Sequence, residues 1–296
     1  MEKKENFKKG ILCGLGCYVL WGVLPIYWKS VVGVNPFEIL ANRILWSIFF
    51  VAFLIVRAGK WQDFLTETKE ITKNTSKTIS LILASILITF NWGIFIWAVN
   101  AGRIIETSMG YYINPLVNVL LGVFLLGEKL DTWTKVSVVL AAIGVGNMIY
   151  GVGIFPWISF SLAGTFGFYG LIKKVLVVET KTSILLETLI ISPVALAYIF
   201  SLTRNGEAAW QVAPTLSVGL LVGAGVVTAI PLLLFTAAAK LLPLSVLGFL
   251  QYFSPTLTLM VGIFIYGEVF TMEHFISFIW IWAGLLVFTI NQIRKK

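Results

Sequence analysis

A stretch of fifteen residues near the middle of the chain returns in recognisable form 140 positions later. Residues 114–128 read NPLVNVLLGVFLLGE and residues 254–268 read SPTLTLMVGIFIYGE. Pro115/Pro255, Gly122/Gly262, Phe124/Phe264, Gly127/Gly267 and Glu128/Glu268 coincide, and most other pairs exchange one apolar residue for another. The register extends upstream to Phe95/Phe235, Ala98/Ala238 and Tyr112/Tyr252, and downstream to Gly144/Gly284. In a strongly apolar chain, two halves related in this way are the mark of a protein that moves solute between its repeats.

Composition places both halves in a membrane. Of 296 residues, 58% are hydrophobic and 12% charged, against roughly 25% charged in an ordinary globular domain. The apolar residues fall in runs of about 20, the length that crosses the hydrocarbon core. Behind the lysine-rich Met1–Lys9 the first run continues to Trp28 without a small-residue cleavage site. The first span is therefore expected to stay in the protein rather than to be removed as a signal peptide. Ten runs are expected as helices, near 10–28, 36–56, 79–100, 106–126, 135–151, 157–178, 183–202, 214–235, 244–266 and 274–292. Spans in lipid must satisfy their backbone polar groups internally, which makes them helices.

The distribution of Lys and Arg orients them. With the N-terminus in the cytoplasm, the inner segments hold 18 of these residues and the outer ones only Lys29, Arg103 and Arg204; Arg43 lies inside the second span. This bias predicts that both termini are cytoplasmic. It also explains the net charge of +8 without nucleic acid, because the cations sit in short loops between spans. Five spans per half then force opposite orientations, so residues 1–152 and 153–296 are expected to be two inverted five-helix repeats. The first spans match as well, Trp21-Gly22 with Tyr169-Gly170, at an offset of 148. The longer loop near 57–77 accounts for the difference in offset.

Polar residues inside the spans need a reason. Arg43 lies roughly 12 Å below the outer end of span two, at about 1.5 Å per residue. It reads as a fixed positive charge in a solute pathway or as the partner of Glu38 and nearby carbonyls. Glu187, early in span seven, is the candidate coupling carboxylate for H+; the alternative is a residue that snorkels or meets Lys181. Asn91, Trp92, Tyr111, Tyr112, Asn114 and Asn118 form a polar-aromatic group in spans three and four. Tyr18, Trp21, Tyr169, Gln251 and Tyr252 have the same character. Such side chains suit a cavity for an amphipathic organic solute, and equally suit interhelical hydrogen bonding. Pro115 and Pro255 are a candidate pair of hinges or ordinary kinks. Gly164, Gly167, Gly170, Gly219 and Gly223 are expected at close helix contacts. Trp28, Trp133, Trp157 and Trp210 are expected in the interfacial belt, and Glu128 and Glu268 as solvated boundary carboxylates.

Chemistry has little to work with here. His274 is the sole histidine. No phosphate loop or nucleophile–base pair is apparent, and Cys13 and Cys17 read as packing residues. No enzyme activity, metal or cofactor is expected. The remaining alternative is a membrane enzyme or lipid-handling protein that holds a lipid-linked substrate. The expected partners are a small organic solute, the bilayer and a coupling ion, with the oligomeric state open.

Several strings sharpen this reading. The Pro…Gly…Gly-Glu block in spans four and nine resembles the drug/metabolite transporter superfamily in its EamA-type branch. NWGIFIWAVN (91–100), GYYINPL (110–116), FTAAA (235–239), LGFLQY (247–252), Glu38-Ile-Leu and RILWS (43–47) resemble the RarD subfamily. The likeness covers essentially the whole chain. It implies a multi-pass permease of the bacterial inner membrane, with a central cavity walled by both repeats and spans five and ten more peripheral. Small four-helix exporters of the same superfamily carry a coupling glutamate in their first helix; spans one and six here have no carboxylate.

Overall fold

The computed structural model describes residues 2–126, 131–152, 155–176, 178–242 and 250–294, and all the regular structure among them is helical. In order the elements are α1 (Glu2–Ser30), α2 (Pro36–Arg57), α3 (Trp61–Lys73), α4 (Thr75–Asn100), α5 (Ile104–Leu126) and α6 (Thr132–Val152). There follow α7 (Trp157–Val175), α8 (Thr180–Asn205), the single turn α9 (Ala209–Val212) and α10 (Thr215–Leu241). The chain closes with α11 (Phe253–Met260), which widens into a π-helical turn at Val261–Ile265, and α12 (Met272–Arg294). Seven of these segments are long and apolar enough to cross a membrane, in α1, α2, α4, α6, α8, α10 and α12. The other three spans expected from sequence fall on α5, on α7 and on α11 with its π-helical turn.

Local chemistry sets the boundaries. Asn35 accepts the backbone N–H of Phe37 at 2.9 Å and Pro36 occupies the first turn, so α2 starts where its donors are satisfied. Glu179 does the same for α8, accepting from Lys181 and Thr182 at 2.7 and 3.1 Å. Gly206, at φ 75°, ends that helix in the left-handed conformation that glycine adopts without penalty. The stretch 57–77 is not the loop expected. It holds the amphipathic α3, which buries Phe64 and Ile71 and offers Glu67 to the backbone N–H of Glu179 at 2.7 Å.

The helices pack chiefly as α6 with α12, α5 with α7, α1 and α2 with α10, α2 and α4 with α8, α4 with α7, and α11 with α1 and α5. One apolar core gathers Trp28, Ile39, Ile96, Val99, Ile104 and Leu162; another gathers Met109, Tyr112, Phe278 and Ile281. The α6–α12 crossing is reciprocal. A Cβ at Gly144 would meet the carbonyl oxygen of Ser277 at 2.7 Å, and one at Gly284 would meet that of Ser137 at 2.7 Å. Both residue pairs carry the offset of 140 seen in sequence. Polar contacts reinforce the crossing: Asn147 donates to the Glu273 carbonyl and Ser277 Oγ, and Asn291 to Asp131 and Thr134. The glycines expected at close contacts divide. Gly164, Gly170 and Gly219 face nothing within 4 Å, whereas a Cβ at Gly223 would meet the Tyr27 hydroxyl of α1 at 2.8 Å, a close approach of the kind expected.

Gly144→Ala and Gly284→Ala should each destabilise the protein by about 1–3 kcal/mol, the usual cost of overpacking against an unyielding backbone. The two losses should be similar, since the contacts are reciprocal. Gly219→Ala, facing open space, should cost nothing or stabilise slightly. Thermal unfolding in detergent, followed by tryptophan fluorescence, measures all three.

Candidate functional site

The buried face of α2 carries Glu38, Asn42, Arg43 and Ser47. Two of these are spent on helix backbone: Asn42 Nδ2 donates to the Glu38 carbonyl at 3.0 Å, and Ser47 Oγ to the Arg43 carbonyl at 2.6 Å. The Glu38 carboxylate does not pair with Arg43. Its Oε1 accepts the buried N–H of Ala209 at 2.7 Å and so caps α9 from 171 residues away. Arg43 is 5% exposed and lies over two indole rings, that of Trp92 from α4 at 4.0 Å and that of Trp28 from α1 at 5.1 Å. Its Nε has no hydrogen-bond partner among the described residues. Trp28 is therefore not a belt residue. It is fully buried, because the cation on α2 and the rings of Tyr27 and the surrounding core hold it inside the bundle. Trp133, Trp157 and Trp210 are exposed, as an interfacial position requires.

Next to Trp92, Asn91 is fixed from two sides. Its Nδ2 donates to the Leu162 carbonyl and Thr165 Oγ1 of α7, both at 3.0 Å, while its Oδ1 accepts from the Tyr111 hydroxyl at 3.2 Å. Tyr111 meets Phe95 and Phe166 edge-on at 5.8 and 6.1 Å, and Phe166 meets Tyr169 at 6.0 Å. The Tyr169 hydroxyl donates to Glu187 Oε2 at 3.1 Å. Glu187 Oε1 takes Lys173 Nζ at 2.9 Å and Ser183 Oγ at 2.6 Å, and Lys173 also contacts Ser183. Glu187, 4% exposed, thus pairs with Lys173 rather than Lys181, since Lys173 lies one turn beyond Tyr169 on the same face of α7. Because Arg43 also interacts electrostatically with Tyr111, a polar-aromatic file runs from Arg43 to Lys173 through α2, α4, α5, α7 and α8.

The other expected cavity residues make their ring contacts elsewhere, although Trp21 also packs against the core that holds Trp28 and against which Tyr111 packs. Tyr18 and Trp21 of α1 form a ring cluster with Phe235 of α10. Tyr112 and Tyr252, matched in the repeat, stack at 6.4 Å and 13°. With Thr256, Trp282, Leu285, Leu286 and Thr289 they line a cavity of about 300 Å³. Tyr111 and Tyr112 are split between two clusters because successive helical residues point about 100° apart. Asn114 is buried in α5. Gln251 is half-buried in the turn before α11, where its carbonyl accepts the Ser254 N–H at 3.3 Å. Pro255 is buried and its carbonyl accepts from Ser108 Oγ at 2.7 Å. The side chains of Pro115 and Asn118, and the whole of Glu128, lie outside the described residues.

Glu268 is not a solvated boundary carboxylate. Its two oxygens accept the N–H groups of Ile104 and Ile105 at 2.7 and 2.9 Å, capping α5 where the backbone donors have no helical partner. Sequence reasoning missed Trp28, Thr165, Phe166, Lys173 and Ser183. Only the last two carried a signal: Lys173 follows Tyr169, and Ser183 precedes Glu187, by four residues.

A profile of the EamA-like transporter family matches residues 8–150. The chain is similar to the uncharacterized transporter YojE of Bacillus subtilis, at 42% identity over 100% of this chain and 98% of that one. It is similar to Protein RarD of Salmonella typhi at 41% identity over the full length of both. The chloramphenicol-sensitive protein RarD of Pseudomonas aeruginosa is 29% identical over 94% of this chain and 93% of its own. A protein of known crystal structure shares the fold at a TM-score of 0.59, with 17% identity, over 98% of this chain and 99% of that one.

Lys173→Met should leave the Glu187 carboxylate buried without its cation. The expected loss is about 3 kcal/mol, the low end for a broken buried pair because Lys173 is 24% exposed. Adding Glu187→Met should restore most of that stability. A double-mutant cycle of thermal unfolding checks it; additive losses would show that the two residues do not interact.

Proposed function

The chain belongs to the EamA-type drug/metabolite transporters, in the RarD subfamily, and from that premise we propose that it is a secondary-active permease of the bacterial inner membrane. It exports a small organic metabolite or drug by alternating access. Ten helices cross the bilayer as two inverted five-helix repeats, residues 1–152 and 153–296, with both termini in the cytoplasm. In this reading α3 and α9 lie at the membrane surface.

One observation carries the proposal. Exchange each helix with its counterpart, α1 with α7, α2 with α8, α4 with α10, α5 with α11 and α6 with α12. The packing of α1 on α10 becomes that of α7 on α4, α1 on α11 becomes α7 on α5, and α2 on α10 becomes α8 on α4. The pairs α2–α8, α5–α11 and α6–α12 exchange into themselves. Repeats that pack through equivalent surfaces can trade their two arrangements, which is what alternating access requires.

The file from Arg43 to Tyr169 supplies the solute site, with Trp28, Trp92, Asn91 and Tyr111 as its walls. The Tyr112–Tyr252 cavity lies where α5 meets α11 and α12, beside the junction of the repeats. Pro255 and its counterpart Pro115 act as hinges; the π-helical turn six residues past Pro255 gives α11 a backbone already loosened for bending. Glu187 is the only carboxylate of the file, and H+ is its candidate coupling ion.

Purified protein in proteoliposomes should give saturable uptake that solute on the opposite face accelerates. Organic acids, amino acids, nucleosides and chloramphenicol form the screen. Flux that grows linearly with concentration and ignores trans solute would overturn the permease reading. Topology has its own check: in a Cys13→Ala, Cys17→Ala background, cysteines placed at Lys8 and Arg57 should resist an impermeant maleimide in intact cells, whereas one at Arg204 should react.

A further inference from the structure

We propose that the solute is an organic monocarboxylate, and that its carboxylate docks on Arg43. This rests on the permease reading and names the substrate class of that site.

The charge count around Arg43 carries the inference. A guanidinium 5% exposed in the apolar interior needs an answering negative group. None of the described carboxylates supplies it. Glu38, on the same face of α2, is held by the N–H of Ala209. Glu187 is held by Lys173, Ser183 and Tyr169. Glu106 pairs with Arg103 at 2.6 Å and Glu268 caps α5. What Arg43 does have is the faces of two indoles, which stabilise a cation but accept none of its N–H bonds in the plane of the guanidinium. Its Nε has no acceptor among the described residues.

That arrangement suits a transported partner better than a permanent one. Stacking on Trp28 and Trp92 fixes the orientation of the fork and leaves its edge for an acceptor. The edge of a guanidinium matches a planar carboxylate through paired N–H···O bonds. A permanent carboxylate partner would fill the edge in every state, as Lys173 fills Glu187. One unanswered positive charge calls for one negative charge. The neighbouring rings of Tyr111, Phe95 and Phe166 offer an aromatic or apolar body its contact area, and Asn91 stands beside them as a polar group that fixes orientation.

The test uses matched probes on the full-length protein in lipid nanodiscs. Indole-3-acetate, phenylpyruvate and benzoate are compared with indole-3-acetamide, benzamide and chloramphenicol, by thermal shift and by counterflow in proteoliposomes. At least one acid should raise the melting temperature of the wild type and drive counterflow, while the amides do neither. In Arg43→Gln the affinity for that acid should fall at least tenfold, and Arg43→Lys, which keeps the charge but loses the fork, should fall between the two. The melting temperature of Arg43→Gln without ligand should be no lower than that of the wild type, because the substitution removes an unanswered charge. A clear fall there would assign Arg43 a structural role and overturn the inference. So would amides acting as well as acids, acids acting equally on Arg43→Gln, or no acid acting at all. Each of those results leaves the permease reading standing, provided another compound of the wider screen shows trans-accelerated flux; absence of such flux for every compound is the separate result that removes the permease reading itself.

Discussion

Keeping charge out of water is the constraint around which this helical bundle is arranged. An ion taken into an apolar interior costs several kcal/mol after relaxation, so every buried charge demands a specific answer. The chain uses three answers. Glu38 takes a free backbone N–H at the start of α9, and Glu268 takes two at the start of α5. Glu187 takes an ammonium and two hydroxyls. Arg43 takes the faces of two indoles. The first kind ties together segments far apart in sequence, 171 and 164 residues, whereas the second joins the neighbouring helices α7 and α8 over 14 and 18 residues. They thereby set which helices are neighbours. The third is of a different order: cation–π contacts contribute about 2 kcal/mol each when desolvated, less than the cost of burying the ion.

Backbone requirements do the rest. In α6 and α12 glycine lets each helix rest on a carbonyl of the other, and the asparagines near either end of the crossing add interhelical hydrogen bonds, each worth about 0.6 kcal/mol on average in membrane proteins. This pair is clamped. The helices of the Arg43 file are locked in a comparable way: a Cβ at Gly110 of α5 would meet the carbonyl oxygen of Ser159 of α7 at 2.9 Å, and Ser159 Oγ donates to the Glu106 carbonyl at 2.7 Å. The π-helical turn after α11 and the buried Pro255 lie against α5, the helix that carries both Tyr111 and Tyr112.

Much of this was legible before any coordinates. Membrane class and most helix positions to within a few residues follow from hydropathy. The polar and aromatic residues of the spans read as one cavity, of which Arg43, Asn91, Trp92, Tyr111 and Tyr169 come together in the file while Tyr112 and Tyr252 pair elsewhere. What escaped is what depends on rotation and on distant partners. Tyr111 and Tyr112 are adjacent letters, yet one faces α4 and α7 and the other α11 and α12. Trp28 stands at the end of an apolar run, where the usual expectation is an interface; a cation fifteen residues later draws it inside. Glu268 follows a glycine at a helix end and reads as solvated, because the N–H groups it caps are invisible in its own segment. The amphipathic α3 hid in a charged stretch where only two residues, Phe64 and Ile71, turn inward.

The charge of the cargo bears on how the cycle is driven. The apolar spans of α1 and α7 hold no carboxylate for proton exchange, and Glu187 has both its oxygens taken by donors from α7 and α8. On the proposed reading, an anionic solute adds a second driving force beside H+ at Glu187. In a cell that is negative inside, each 100 mV is worth about 2.3 kcal/mol per elementary charge, and that drives a monoanion outward. At about 1.4 kcal/mol per tenfold, the field alone sustains a gradient of roughly fifty-fold. In this proposal the permease presents a positive site that accepts and releases an anion, and the membrane potential supplies the direction.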